Sequence, residues 1–158
     1  MEEKLNKIIA KLSDSNKTIS TMESCTGGAL ASLITDISGA SAVFKYGAVT
    51  YSNEYKIKMG VSSEVIDKFS VYSMETAREM ARAISMFTSS DYGIGITGKL
   101  GEADPNNLSG ENNRVFICIY DKEIDKYIDL DTYVNSSDRV DDKKEVLEFV
   151  VAKFDLYV

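Results

Sequence analysis

The chain has 158 residues, 44% of them hydrophobic, with a formal net charge of −7 and no histidine. This length suits one domain, spanning residues 1–158, that buries roughly 70% of its unfolded surface, and the acidic balance without a basic cluster excludes a grip on nucleic acid through its phosphates. The missing histidine excludes Ser–His–Asp and Cys–His catalysis and every His-based metal site, so a hydrolase built on this chain takes its base from lysine, carboxylate, tyrosine or bound water.

The first residues, Met1-Glu2-Glu3-Lys4-Leu5-Asn6-Lys7, are charged and lack an apolar signal core, and no apolar run is long enough to span a membrane. Two cysteines, Cys25 and Cys118, make no disulfide framework. These features predict a cytoplasmic protein acting on a small molecule, without nucleic-acid or membrane partners.

From about Glu3 to Leu12, Leu5, Ile8, Ile9 and Leu12 share one face, which predicts a surface helix with an apolar stripe. Lys17–Ser20, β-branched and alternating, reads as a strand. The turn Thr21-Met22-Glu23-Ser24-Cys25-Thr26-Gly27-Gly28 follows, then a helix over Ala29–Thr35. A strand, a small-residue turn and a helix start leave backbone N–H groups facing solvent, an arrangement suited to an anion such as phosphate. The other reading is a plain strand-to-helix turn whose glycines only permit close packing. Cys25 has no histidine partner and reads as a buried, inert thiol.

Ala42–Tyr51 reads as a second strand, and Ser52 or Asn53 caps a short helix. Ser62 or Ser63 opens another through Ile66. A longer helix runs from about Ser73 to Phe87, with Met74, Ala77, Met80, Ala81 and Ile84 as its stripe. Tyr92–Thr97 is a third strand ending in Gly98, and its internal glycines predict close approach by another backbone or a ligand. Lys99–Asn113, with the only proline (Pro105) and four asparagines, is a loop long enough to be functional. Val115–Tyr120 and Tyr127–Val134, joined by Asp121-Lys122-Glu123, form an antiparallel hairpin with Cys118 packed in its core. Ser136 or Ser137 opens a closing helix through Lys153, with Val140, Val146, Leu147, Val150 and Val151 on its buried side. This order predicts an α/β fold, a three-layer α/β/α sandwich with a mixed sheet.

Four segments carry a resemblance: Thr21-Met22-Glu23-Ser24-Cys25-Thr26-Gly27-Gly28, Gly39-Ala40-Ser41-Ala42-Val43-Phe44, Val49-Thr50-Tyr51-Ser52-Asn53-Glu54-Tyr55-Lys56 and Gly95-Ile96-Thr97-Gly98. In this order and spacing they resemble the CinA C-terminal domain family, which includes the nicotinamide mononucleotide deamidases of the PncC type. The resemblance implies an amidohydrolase, a carbon–nitrogen hydrolase acting on a linear amide. It would convert nicotinamide mononucleotide to nicotinic acid mononucleotide and ammonia, without metal or cofactor, in pyridine nucleotide salvage. It implies a Ser–Lys–Tyr arrangement with Ser41 as nucleophile, Lys56 as base and Tyr51 beside them, and a pocket that includes Ser24, Thr97 and the late Arg139. Thr26, Gly27, Gly28 and Gly98 complete the expected substrate-binding set.

The chemistry agrees with a histidine-free chain. A serine hydroxyl needs a base in hydrogen-bond reach, and a lysine serves where burial or nearby positive charge disfavours its ammonium form. Backbone amides near Ser41, or the Thr97 hydroxyl, are candidate oxyanion donors. From the residues alone, Ser41 could instead satisfy a turn after Gly39, Lys56 could be a solvated surface charge, and Arg139 could pair with Asp138 or Asp142.

Departures from the family pattern bear on the substrate. After Gly-Ile-Thr-Gly the family continues Ile/Leu-Ala-Gly-Pro, with a later glycine pair and Lys-Pro-Val-Gly. This chain has Lys99-Leu100-Gly101-Glu102-Ala103-Asp104-Pro105 and Asn112-Asn113-Arg114-Val115-Phe116. Glu102, Asp104 and Glu111 would repel a phosphate if the loop bordered it. The alternatives are a CinA-like nucleotide-binding or regulatory module, favoured if the loop blocks the pocket, and an amidase for another small amide. A homodimer or higher homo-oligomer is the expected assembly, with the Val115–Val134 hairpin offering an edge.

Overall fold

The computed structural model describes residues 1–101, 105–135 and 138–158. Among them, five strands form one mixed sheet: β1 (Ile19–Glu23), β2 (Phe44–Val49), β3 (Tyr92–Gly98), β4 (Arg114–Asp121) and β5 (Lys126–Tyr133), in the order β2-β1-β3-β4-β5. β1 runs parallel to β2 and β3, and β3, β4 and β5 are antiparallel neighbours. Helices α1 (Glu2–Asp14), α2 (Ala29–Thr35) and α6 (Arg139–Tyr157) cover one face, where Leu5, Ile8, Leu12, Leu30, Ile34, Val150 and Phe154 pack on Ile19, Ile94 and Ile117. Helices α4 (Ser63–Phe69) and α5 (Met74–Thr88) cover the other, with Ile66, Met80 and Ile84 against Met22 and Ala48. The short α3 (Asn53–Lys58) follows β2. The α/β class and its mixed sheet are as expected.

Local sequence accounts for most element starts. Ser52, Ser62 and Ser73 accept hydrogen bonds from Tyr55, Val65 and Thr76 N–H groups, as N-caps of α3, α4 and α5. The α1 stripe of Leu5, Ile8, Ile9 and Leu12 is buried as read.

Several boundaries and one helix face differ from expectation; β2 spans Phe44–Val49, shorter at both ends than the Ala42–Tyr51 read for it. β1 extends through Thr21, Met22 and Glu23, residues read as a turn, because each pairs with a parallel neighbour on both sides. α6 is capped by Asp138, whose carboxylate accepts from Val140 N–H at 2.6 Å; Ser136 and Ser137 lie outside the described residues. Val140 is 73% exposed, since the apolar stripe of α6 begins a turn later at Val146.

The glycines of β3 meet their expectation. A methyl on Gly93 would overlap the carbonyl oxygen of Ala81, and one on Gly95 that of Ala77. The backbone of α5 therefore rests directly on β3, which a side chain would prevent. Gly93→Ala is expected to lower unfolding free energy by about 3 kcal/mol or more, measured by urea denaturation; an unchanged midpoint would contradict this packing.

Candidate active site

The parallel strands β1, β2 and β3 end together, and β1 lies between the other two. The connection from β1 to β2 runs through α2 on one face; the connection from β2 to β3 runs through α4 and α5 on the other. This is a topological switch point, where strand ends diverge and leave a crevice at their carboxyl edge. A cavity of about 530 Å³ occupies it, lined among others by Ser24, Tyr51, Lys56, Gly98, Lys99 and Arg139.

Lys56 organises the cavity. It is 1% exposed, and its amine donates to Ser24 Oγ at 2.9 Å and to the Thr50 carbonyl at 2.6 Å. Ser24 immediately follows β1, with its own N–H held by the Ile96 carbonyl at 2.9 Å. Ser52 caps α3 and turns the chain back toward β1, so that Lys56, on the last turn, points inward. The reading of Lys56 as a solvated charge is therefore excluded.

Ser41 is elsewhere. It lies on an exposed turn of 3-10 helix, Ala40–Ala42, before β2 begins, whereas the Lys56 amine binds Thr50, after β2 ends. Six strand residues at a rise of about 3.3 Å put these two ends about 20 Å apart. Within the chain, the serine that meets the lysine is Ser24, not Ser41. A strand converts a short separation in sequence into opposite edges of the sheet.

The expected anion site at the start of α2 is also occupied from within. Glu23, fully buried at the end of β1, accepts from Thr26 Oγ1 at 2.6 Å and Leu30 N at 3.0 Å through one oxygen, and from Ala31 N at 2.8 Å through the other. This carboxylate satisfies N–H groups at the helix start and complements its positive end. Thr26, Gly27 and Gly28 do not line the cavity. Gly27 and Gly28 have positive φ values of 64° and 91°, so they serve the turn. Thr97 does not line the cavity either: its hydroxyl donates to the Val71 carbonyl at 2.9 Å and is committed as a donor.

Tyr51 and Arg139 stand at the mouth. Tyr51 is 66% exposed, and its hydroxyl accepts from Arg139 Nη2 at 3.4 Å, while Arg139 Nη1 donates to the Leu100 carbonyl. Asp138, at the cap of α6, sets the chain direction that places Arg139 there. The described residues of the 99–113 loop form part of the cavity wall. Pro105, Asn106 and Asn107 line the cavity, and Asn53 Nδ2 donates to Asn107 Oδ1 at 2.9 Å. Glu111 does not line it and instead engages Arg114 and Tyr133 at 2.9 and 2.5 Å. Glu102 and Asp104 lie outside the described residues.

Cys25 lines the cavity but is buried, and desolvation pushes its thiol up to about 12; Lys56 and Arg139 pull weakly the other way. It stays protonated at neutral pH, as expected of an inert packing thiol. Burial likewise raises Cys118. Sequence reading gave no role to Lys99, Asn106 or Asn107. The available signal was Lys99 itself, a cation ending an otherwise apolar strand.

A mixed five-stranded sheet between two helical layers, with a lysine–serine pair at the carboxyl edge of its parallel strands, defines a three-layer α/β protein with a polar cavity. The chain belongs to the CinA family: the model of the CinA C-terminal domain matches residues 1–154. A CinA-like protein of Kosmotoga olearia is 47% identical over 102 residues, 63% of this chain and 25% of that protein. A competence-damage inducible protein of Thermoanaerobacter sp. (strain X514) is 44% identical over 102 residues with the same shares. The chain thus covers about a quarter of the length of these curated relatives. The crystal structure of the competence/damage inducible protein CihA from Agrobacterium tumefaciens superposes with a TM-score of 0.88 at 25% identity, covering 96% of this chain and 92% of that one. A CinA superfamily protein from Enterobacter cloacae gives 0.88 at 25% identity, covering 97% and 89%. No helix among the described residues is long and apolar enough to cross a membrane.

Two outcomes test this geometry. Glu23→Ala leaves the start of α2 without its acceptor and is expected to cost about 2–4 kcal/mol of unfolding free energy, read by urea denaturation; a loss under about 0.5 kcal/mol would refute the cap. Cys25 is expected to react with iodoacetamide at pH 8 roughly 10³-fold more slowly than a free thiol. Mass spectrometry of a Cys118→Ala variant follows the reaction, and labelling at the free-thiol rate would contradict the buried, protonated state.

Proposed function

We propose that this chain is an amidohydrolase that hydrolyses the carboxamide of nicotinamide mononucleotide, with Ser24 as nucleophile and Lys56 as its base. The observation that carries this reading is the 2.9 Å contact between a buried lysine amine and a serine hydroxyl inside a cavity that holds no histidine. Membership of the CinA family supports the substrate, through the family resemblance set out from the sequence.

A nucleophilic serine needs a partner that takes its proton as the bond to carbon forms. Desolvation works against the charged form of any buried amine, and only the neutral form accepts that proton. The same contact then serves in either direction: an ammonium donates to Oγ, a neutral amine receives the hydroxyl proton. Ser24 Oγ bonds to the carboxamide carbon, and Lys56 delivers the proton to the departing nitrogen as the C–N bond breaks and ammonia leaves. A water, deprotonated by the same amine, cleaves the resulting ester and releases the carboxylate. The N–H of Cys25, next in the chain to the nucleophile, is the candidate oxyanion donor. Tyr51 and Arg139 bind substrate at the mouth rather than move the proton. The loop residues that are described line the cavity wall, which leaves room for a substrate between them and Lys56.

The test is ammonia release from nicotinamide mononucleotide by the purified chain. Ser24→Ala and Lys56→Met are each expected to lose about 10⁴-fold or more in kcat, whereas Ser41→Ala retains turnover within about twofold of wild type, as expected of a surface substitution. Circular dichroism confirms that each variant is folded. Turnover that survives Ser24→Ala, or that vanishes in Ser41→Ala, would overturn the assignment.

A further inference from the structure

Among the described residues that line the cavity, the charges are one-sided. In a chain with net charge −7, the charged residues among the described lining residues are Lys56, Lys99 and Arg139, with no carboxylate beside them. Two of these cations have fixed acceptors: Lys56 has Ser24 and Thr50, and Arg139 has Leu100 and Tyr51. Lys99 differs. It is only 8% exposed, yet its amine has no hydrogen-bond or ion-pair partner among the described residues.

The position of Lys99 is set by the backbone. Its N–H donates to the Arg114 carbonyl at 3.2 Å, and its carbonyl accepts from Asn113 at 2.7 Å, continuing the β3–β4 ladder past Gly98. Lys99 lines the cavity, so its three N–H donors, unused by the described residues, are available to a ligand there.

We propose that Lys99 is the anion anchor of the cavity, the residue that with Arg139 binds the dianionic phosphate of a phosphomonoester substrate and selects it over the unphosphorylated form. The proposal rests on reading the cavity as the substrate site, but its measurement is binding and needs no turnover. An ammonium and a guanidinium form charge-assisted hydrogen bonds to phosphate oxygens, which are among the stronger contacts available to a ligand.

Ribose 5-phosphate and ribose are the probes, titrated by calorimetry into wild type, Lys99→Met and Lys99→Arg. Wild type is expected to bind the phosphorylated sugar at least about tenfold more tightly than ribose. Lys99→Met is expected to lose about ten- to a hundredfold for ribose 5-phosphate and to leave ribose unchanged, while Lys99→Arg restores most of the loss. A stability readout accompanies this. Lys99→Met removes no hydrogen bond or ion pair to the described residues, so without ligand its Tm is expected to stay close to that of wild type, and ribose 5-phosphate raises the Tm of wild type and Lys99→Arg more than that of Lys99→Met. Equal loss for both sugars, or unchanged phosphate binding in Lys99→Met, would overturn the proposal. Its failure is separable from that of the amidase reading: loss of phosphate selectivity is measured in a Ser24→Ala background, where ammonia release plays no part.

Discussion

A single buried carboxylate fixes the geometry on which the site depends. Glu23 ends β1 in the centre of the sheet, with its backbone paired on both sides, and its side chain crosses the next turn to hold the N–H groups of Leu30 and Ala31 and the hydroxyl of Thr26. A charge there is supported by three hydrogen bonds and by the positive end of α2, so its burial is compensated. The intervening residues, Ser24 and Cys25, are thereby pinned between a rigid strand and a rigid helix. Ser24 consequently meets Lys56 without a loop having to order itself first, which is the preorganisation a nucleophile requires.

The same constraint divides the positive features of this edge between structure and ligand. The α2 terminus, which in isolation would attract an anion, is neutralised from inside by Glu23. The cations of Lys56, Lys99 and Arg139 are left facing the cavity without a neighbouring carboxylate in its described lining. Topology explains why the cavity lies here: β1 sends its connections to opposite faces of the sheet, and nothing covers the carboxyl ends between them. The loop from Lys99 to Asn113 supplies the outer wall, tied down by Asn53 on Asn107 and by the packing of Gly110 on Tyr72.

Patterns of short range were legible in the chain. The α1 stripe, the serine caps of α3, α4 and α5, the bounds of α2 and the hairpin of β4 and β5 all follow from periodicity, capping chemistry and turn residues within a few positions. The glycines at 93 and 95 correctly announced a close backbone approach, though not by which helix. Reading failed where a residue's partner is distant in sequence. Thr21–Glu23 looked like turn because their small and polar character signals loop locally, whereas two parallel neighbours make them strand. Thr97 looked like a pocket hydroxyl, but the Val71 carbonyl lies close enough to accept its hydrogen bond.

The sequence by itself limited the class of chemistry open to this chain: without histidine, any catalytic base has to be of another kind, and Lys56 stood out through the family resemblance. It also determined a layered α/β fold, because alternating strand and helix patterns have few other ways to bury their apolar faces. Which serine meets that lysine was decided by tertiary structure alone. The resemblance pointed to Ser41 and gave Ser24 only a place in the pocket, but β2 holds Ser41 about 20 Å from the strand end that Lys56 meets. Hydrogen bonding reaches only about 3 Å, so position in the fold, and not residue type, selects the pair.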